Sequence, residues 1–214
     1  MRFTFGRAPK ALASLIVLCL AAVCASAQGK QGRFTSEPLV KFLPDGRNVE
    51  LATPLTYIDS HDITWTVPAG TRVDGASIPQ VFWSFMGAPF TGKFRDASII
   101  HDYFCVKKNR HWRAVHKVFL DGMLARDVGT TLAKLMYTAV YRFGPRWDFD
   151  IDACYCEGCP TCSSPVRKRV KYFQPRYNAE QFEELRKKLD EGQSIEALED
   201  LADYQLNTEY LNKK

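Results

Sequence analysis

From residue 39 to 73 the apolar and β-branched residues come in short runs broken by turn formers. Leu39-Val40-Lys41-Phe42-Leu43 and Val49-Glu50-Leu51 flank Pro44-Asp45-Gly46-Arg47, and an Asp-Gly pair between two apolar runs is a hairpin signal. Leu55-Thr56-Tyr57-Ile58 and Ile63-Thr64-Trp65-Thr66-Val67 continue the pattern, and Pro68-Ala69-Gly70 punctuates it before Thr71-Arg72-Val73. These runs predict short antiparallel strands.

Near residue 90 the period changes from two to 3.6. Phe94 to about Val106 is apolar nearly all round and predicts a buried helix. His111 to about Val128 predicts a second, with Trp112, Val115, Phe119 and Met123 forming a stripe. Thr130 and Thr131 can cap a third. Its stripe is Leu132, Leu135, Met136, Ala139, Val140 and Phe143, and Gly144-Pro145 stops it. Residues 148–177 are Cys-, Pro- and Arg-rich and read as irregular. Asn178 with Gln181 resembles a capping box before a charged helix with Phe182, Leu185 and Leu189 on one face. Gly192 breaks it, and a last helix from Ser194 carries Ile195, Leu198, Leu201 and Ala202. Strands first and helices afterwards predict an α+β fold: N-terminal antiparallel β-hairpins, a helical half and a helical C-terminal tail.

The N-terminus changes where this fold is expected to work. Arg2, Arg7 and Lys10 precede an uncharged apolar run from Ala11 to Cys24, and Ala25-Ser26-Ala27 is an A-x-A cleavage site. The run is shorter than the roughly 20 residues that span a bilayer. Residues 1–27 therefore read as a signal peptide, and the mature chain is expected to be periplasmic or secreted, with no transmembrane helix. Its 26 basic residues (29 less Arg2, Arg7 and Lys10) nearly balance 24 acidic ones, which argues against nucleic acid as a partner. The expected organisation is a leader over 1–27, an α+β domain over 32–147, a Cys-rich segment over 148–177 and a tail over 178–214.

Export also changes the chemistry of the cysteines. Cys154, Cys156, Cys159 and Cys162 form C-x-C-x2-C-x2-C. Outside the cytoplasm such a cluster favours disulfides over metal, and zinc sites usually take two separated pairs. Four cysteines allow three pairings.

Val73-Asp74-Gly75-Ala76-Ser77-Ile78-Pro79, Trp83, Ala97, His101-Asp102-Tyr103, Phe119, Gly144 and Trp147 carry a family pattern. With these residues, the region from about 35 to 147 resembles domain of unknown function family 1353 of bacteria and their phages. The resemblance implies a link with phages and supplies a residue pattern without an established activity or mechanism. The chain departs from the family pattern where an acidic residue is expected, having Val115-His116 after Ala114.

The polar residues within the apolar helices are the candidate site. His101 and Asp102 lie in the first helix, and His116 lies beside the stripe of the second. Helices joined by about five residues are expected to be antiparallel neighbours, which brings the two histidines near each other. Three uses follow. His101, Asp102 and His116 can ligate zinc or iron. Ser77, His101 and Asp74 or Asp102 can form a metal-free hydrolytic set. Alternatively, the His-Asp pair locks a helix to the Asp74–Pro79 turn by hydrogen bonds. Cys105, one turn after His101, is either an inert core thiol or a third metal ligand. Neither G-x-S-x-G nor H-E-x-x-H occurs. Trp65, Trp83, Trp112 and Trp147 are expected in the core, and His61 and His111 in solvent. Two functions stay open: a non-catalytic cell-envelope or phage-derived interaction module, and a hydrolase, metal-dependent or not, acting on envelope material.

Overall fold

The strand runs fold as six short strands in two three-stranded antiparallel sheets. β1 (Arg33–Phe34), β4 (Leu55–Ile58) and β5 (Thr64–Val67) form one, in the order β1-β4-β5. β2 (Val40–Phe42), β3 (Val49–Leu51) and β6 (Arg72–Val73) form the other, in the order β2-β3-β6. The computed structural model describes residues 32–45, 48–74, 92–149 and 170–211. The expected leader over 1–27, Ser77, Trp83 and Cys154 to Cys162 lie outside the described residues.

The expected hairpin pairs Val40 with Leu51 and Phe42 with Val49. Asp45 organises its turn, its carboxylate accepting from Asn48 N and Nδ2. Alternation then decides what is buried. Leu55, Tyr57, Trp65 and Val67 face the core, while the Thr56 and Thr66 hydroxyls meet at 3.1 Å on the other face. Buried Asp59 holds the β4–β5 turn by accepting from His61 N, Ile63 N and Trp65 Nε1.

Three helices follow: α1 (Arg95–Lys107), α2 (Trp112–Ala125) and α3 (Thr130–Phe143). Ala97 of α1 meets Gly122 of α2, and His101 meets His116, so α1 and α2 are antiparallel. A Cβ on Gly122 would stand 3.1 Å from that of Ala97, so the glycine sets how closely the helices approach. Lys108 ends α1 in the left-handed region, its N–H donating to the Phe104 carbonyl. His111 caps α2, accepting from Arg113 N.

α3 differs from expectation in two ways. Its N-cap is Gly129, without a side-chain bond, rather than a threonine. Leu132 is 36% exposed, whereas Ala133, Met136, Tyr137, Val140, Tyr141 and Phe143 are buried. α3 is covered from two sides, by α2 and by the tail. Its tyrosines therefore face inward with hydroxyls on acidic partners, an arrangement no single stripe encodes.

The ends of the segment read as irregular are strands. β7 (Arg146–Phe149) pairs antiparallel with β8 (Val170–Phe173), Trp147 opposite Tyr172. The tail comprises α4 (Ala179–Asp190) and α5 (Ile195–Leu211). Asn178 caps α4 by accepting from Gln181 N. The Gln181 side chain does not complete a capping box but accepts from Arg142. Phe182, Leu185, Leu189, Ile195, Leu198 and Ala202 join the core. Ions finish the docking: Asp203 reaches Arg113 at 2.8 Å and Arg146 at 3.1 Å, and Glu209 reaches Arg142 at 3.1 Å. The architecture is α+β, and residues 32–214 form one compact unit. Among the described residues no helix is long and apolar enough to cross a membrane.

Candidate functional site

Helix period places His101 and Cys105 on one face of α1, four residues apart. The antiparallel approach of α2 brings His116 onto that face. His101 Nε2 lies 2.8 Å from His116 Nδ1. Cys105 Sγ lies 3.6 Å from His101 Nε2 and 3.9 Å from its Nδ1. One ligand-type atom from each of the three residues falls within 4.8 Å of the others. Rings wall the cluster: Phe119 stands 5.0 Å from the His101 ring, and Trp112 is edge-on to His116 at 5.4 Å. Both histidines are wholly buried.

That burial decides the protonation state. Charging an imidazole away from water is costly, so burial pushes His101 down to about 3. His116 is also held well below the usual range, by burial first and then by His101 and Arg146, while the Pro145 backbone opposes the shift. Two neutral imidazoles can share one hydrogen bond only as donor and acceptor. The Pro145 backbone beside His116 favours its Nε2–H tautomer, in which Nδ1 accepts from His101 Nε2–H; the 2.8 Å contact itself fits either direction.

Asp102 adjoins the cluster without joining its face. Consecutive helical residues point about 100° apart, and Asp102 Oδ1 lies 4.0 Å from His101 Nδ1. Cys105, not Asp102, therefore supplies the third ligand-type atom beside the two histidines. Asp102 is 3% exposed and lines a cleft of about 390 Å³ with Arg72, Asp74, Cys105, Lys108, Pro145, Tyr172 and Gln174. Asp74 enters from the end of β6. Asp74 and Asp102 thus share a cleft, with Cys105 between it and the buried imidazoles. A neighbouring cleft of about 520 Å³ is lined by His111, Trp112, Arg113, Arg146, Trp147, Asp148 and Tyr172. Tyr172 lines both clefts, with the Lys108 ammonium 4.1 Å from its ring centroid.

Trp65, Trp112 and Trp147 are core residues, and His61 and His111 are exposed. Sequence reasoning did not find Arg72, Lys108, Tyr172 and Gln174. They come from β6, the residue after α1, β8 and the residue after β8, and the long-range β7–β8 pairing carries the last two toward α1.

Residues 49–140 match the family model described as "Protein of unknown function (DUF1353)". These residues are a DUF1353 domain. The domain holds Asp74, Ser77, His101, Asp102, Cys105 and His116, whereas Tyr172 and Gln174 of the cleft lie beyond the matched stretch. The chain is 41% identical over 162 residues to the uncharacterized protein y4jT of Sinorhizobium fredii (strain NBRC 101917 / NGR234), a match covering 72% of this chain and 48% of that protein. It is 34% identical over 136 residues to the uncharacterized protein y4iH of the same strain, covering 64% of this chain and 57% of that protein. The chain spans about half the length of these curated relatives. No solved structure matches it.

Proposed function

We propose that this DUF1353 protein is an exported, non-catalytic binding module of the cell envelope, with its ligand site in the Asp74–Asp102 cleft. The observation that carries the reading is the state of the two imidazoles. They are wholly buried and hydrogen-bonded to each other at 2.8 Å, so neither is placed to exchange protons with a molecule in the cleft. The cleft wall carries groups suited to recognition: carboxylates at Asp74 and Asp102, a cation at Lys108, an amide at Gln174 and the Tyr172 ring. A polymer bearing both charges and amides, such as peptidoglycan, fits that chemistry. The proposal of export is supported by the leader-like N-terminus, whose Ala25-Ser26-Ala27 pattern fits cleavage before Gln28.

One observation favours hydrolysis instead: Asp74 and Asp102 face the same cleft, and paired carboxylates can divide acid and base roles. Purified sacculi distinguish the two. The mature chain should co-sediment with them and release no soluble fragments, and Lys108→Glu should weaken binding by about tenfold, or 1.4 kcal/mol. Fragment release lost in Asp74→Asn would establish the hydrolase. Absence of co-sedimentation would overturn the envelope reading.

A further inference from the structure

We propose that His101, Cys105 and His116 form a binding site for one divalent transition-metal ion of zinc type, independently of what the cleft binds. The donor set is the first argument. Two imidazole nitrogens and one thiolate suit a borderline-soft cation and are a poor set for magnesium or calcium.

Distances are the second. Bonds of about 2.0–2.1 Å to nitrogen and 2.3 Å to sulfur in a tetrahedral arrangement hold two nitrogens about 3.3 Å apart, and nitrogen and sulfur about 3.6 Å apart. Cys105 Sγ to His101 Nε2 is 3.6 Å. The two ring nitrogens, at 2.8 Å, need to separate by about half an ångström, and Cys105 Sγ, which lies with both within 4.8 Å, closes on His116 as the ion replaces the ring-to-ring hydrogen bond.

The surroundings complete the case. Ligating histidines usually hold their second nitrogen on a carboxylate or backbone carbonyl. Here Pro145 faces the His116 ring, and the Asp102 carboxyl stands 4.0 Å from His101 Nδ1. A dication and one thiolate leave a single positive charge, and the Asp102 carboxyl, 4.0 Å from His101 Nδ1, is the acidic group placed to offset it. Cys105 lines the cleft as well as the cluster, which supplies the entry side. On loading, the Cys105 thiol gives its proton to solvent. The proton on His101 Nε2 moves to Nδ1, toward Asp102, so each ion bound releases one proton overall.

The test must exclude Cys154 to Cys162, which can bind metal themselves when reduced. In full-length chain with Cys19, Cys24, Cys154, Cys156, Cys159 and Cys162 replaced by serine, one equivalent of cobalt(II) should bind with a thiolate-to-cobalt charge-transfer band. Adding Cys105→Ser should abolish the band and raise the dissociation constant by about 100-fold or more. Asp102→Asn should raise it by about tenfold with the band retained. Binding below a tenth of an equivalent by the six-serine chain that keeps Cys105 and Asp102, with a native circular-dichroism spectrum, overturns the proposal. X-ray absorption on the zinc-loaded six-serine variant gives a second measurement. A shell with two imidazole nitrogens and one sulfur supports the site, and a shell without sulfur overturns it.

Discussion

Asp203→Ala tests how the tail is held and what it holds in place. Asp203 Oδ2 accepts from Arg113 at 2.8 Å and from the Tyr141 hydroxyl at 3.1 Å, while Oδ1 accepts from Arg146 at 3.1 Å. The Arg113 side chain is 47% exposed, so that pair contributes about 0.5 kcal/mol. Arg146 is different. Burial pushes its guanidinium down to about 10, and Asp203 opposes the shift. Removing Asp203 leaves this buried cation unpaired beside Arg113 and Arg142. Breaking a buried pair costs about 3–5 kcal/mol, reduced here to about 2 because the Asp203 side chain keeps 28% exposure. The phenol hydrogen bond adds roughly 0.5 kcal/mol. The expected loss is about 3 kcal/mol, or about 6–12 °C in Tm at this chain length. Urea unfolding should show a lower midpoint at unchanged slope. Asp203→Asn, which keeps an acceptor, should lose about half as much. Adding Arg146→Met should recover part of the loss, since the orphaned charge is then gone. A loss below about 0.5 kcal/mol for Asp203→Ala would refute the reasoning and assign docking to Leu198, Ala202 and their apolar neighbours. The clamp bears on the site because Arg146 lies 4.3 Å over Trp112, whose edge meets His116.

Asp121→Asn should stabilise the chain at neutral pH. Burial raises the Asp121 carboxyl above its usual range, Lys117 opposes this, and Asp59 adds to it. A raised carboxyl favours folding when protonated. Its penalty is therefore absent below the ordinary carboxyl value of about 3.9 and develops as pH rises through the folded value. Thermal melts should show the variant ahead at pH 7 and level with the parent below about pH 4, and a gain independent of pH would contradict this. Gly144→Ala places a Cβ 2.3 Å from the Val140 carbonyl oxygen and 3.3 Å from His116 Cε1. It should cost about 2–3 kcal/mol in urea unfolding, and a neutral result would show that the α3 end yields easily. Denatured, oxidised mature chain should react as one thiol per molecule if Cys154, Cys156, Cys159 and Cys162 form two disulfides; five reactive thiols would reject the pairing.

Features decided by neighbours in sequence were legible before the fold was known. The hairpin of Val40 and Leu51, the three central helices within a few residues, the Asn178 cap and the buried faces of α4 and α5 follow from turn chemistry and period, which act over a few residues. So does the alignment of His101 with Cys105, which the α1 helix alone imposes. Everything that depends on two distant segments was decided by packing. The short α1–α2 connection already predicts that His101 and His116 come near each other; the close crossing at Ala97 and Gly122 decides that they touch, at 2.8 Å. The turning of Asp102 toward the cleft, away from the metal-type cluster, mattered only once α2 had chosen its side of α1. β7 and β8 pair across residues 150–169 without alternation strong enough to announce them, and they carry Tyr172 to the cleft. The buried face of α3 is wider than its stripe: Met136, Ala139, Val140 and Phe143 are buried as expected, a second helix also covers Ala133, Tyr137 and Tyr141, and the tyrosines reach Glu199 and Asp203 about 62 residues away. Local pattern specifies which side of an element is apolar. Which partner covers that side, and which polar atoms meet beneath it, depends on contacts whose sequence separation no local pattern records.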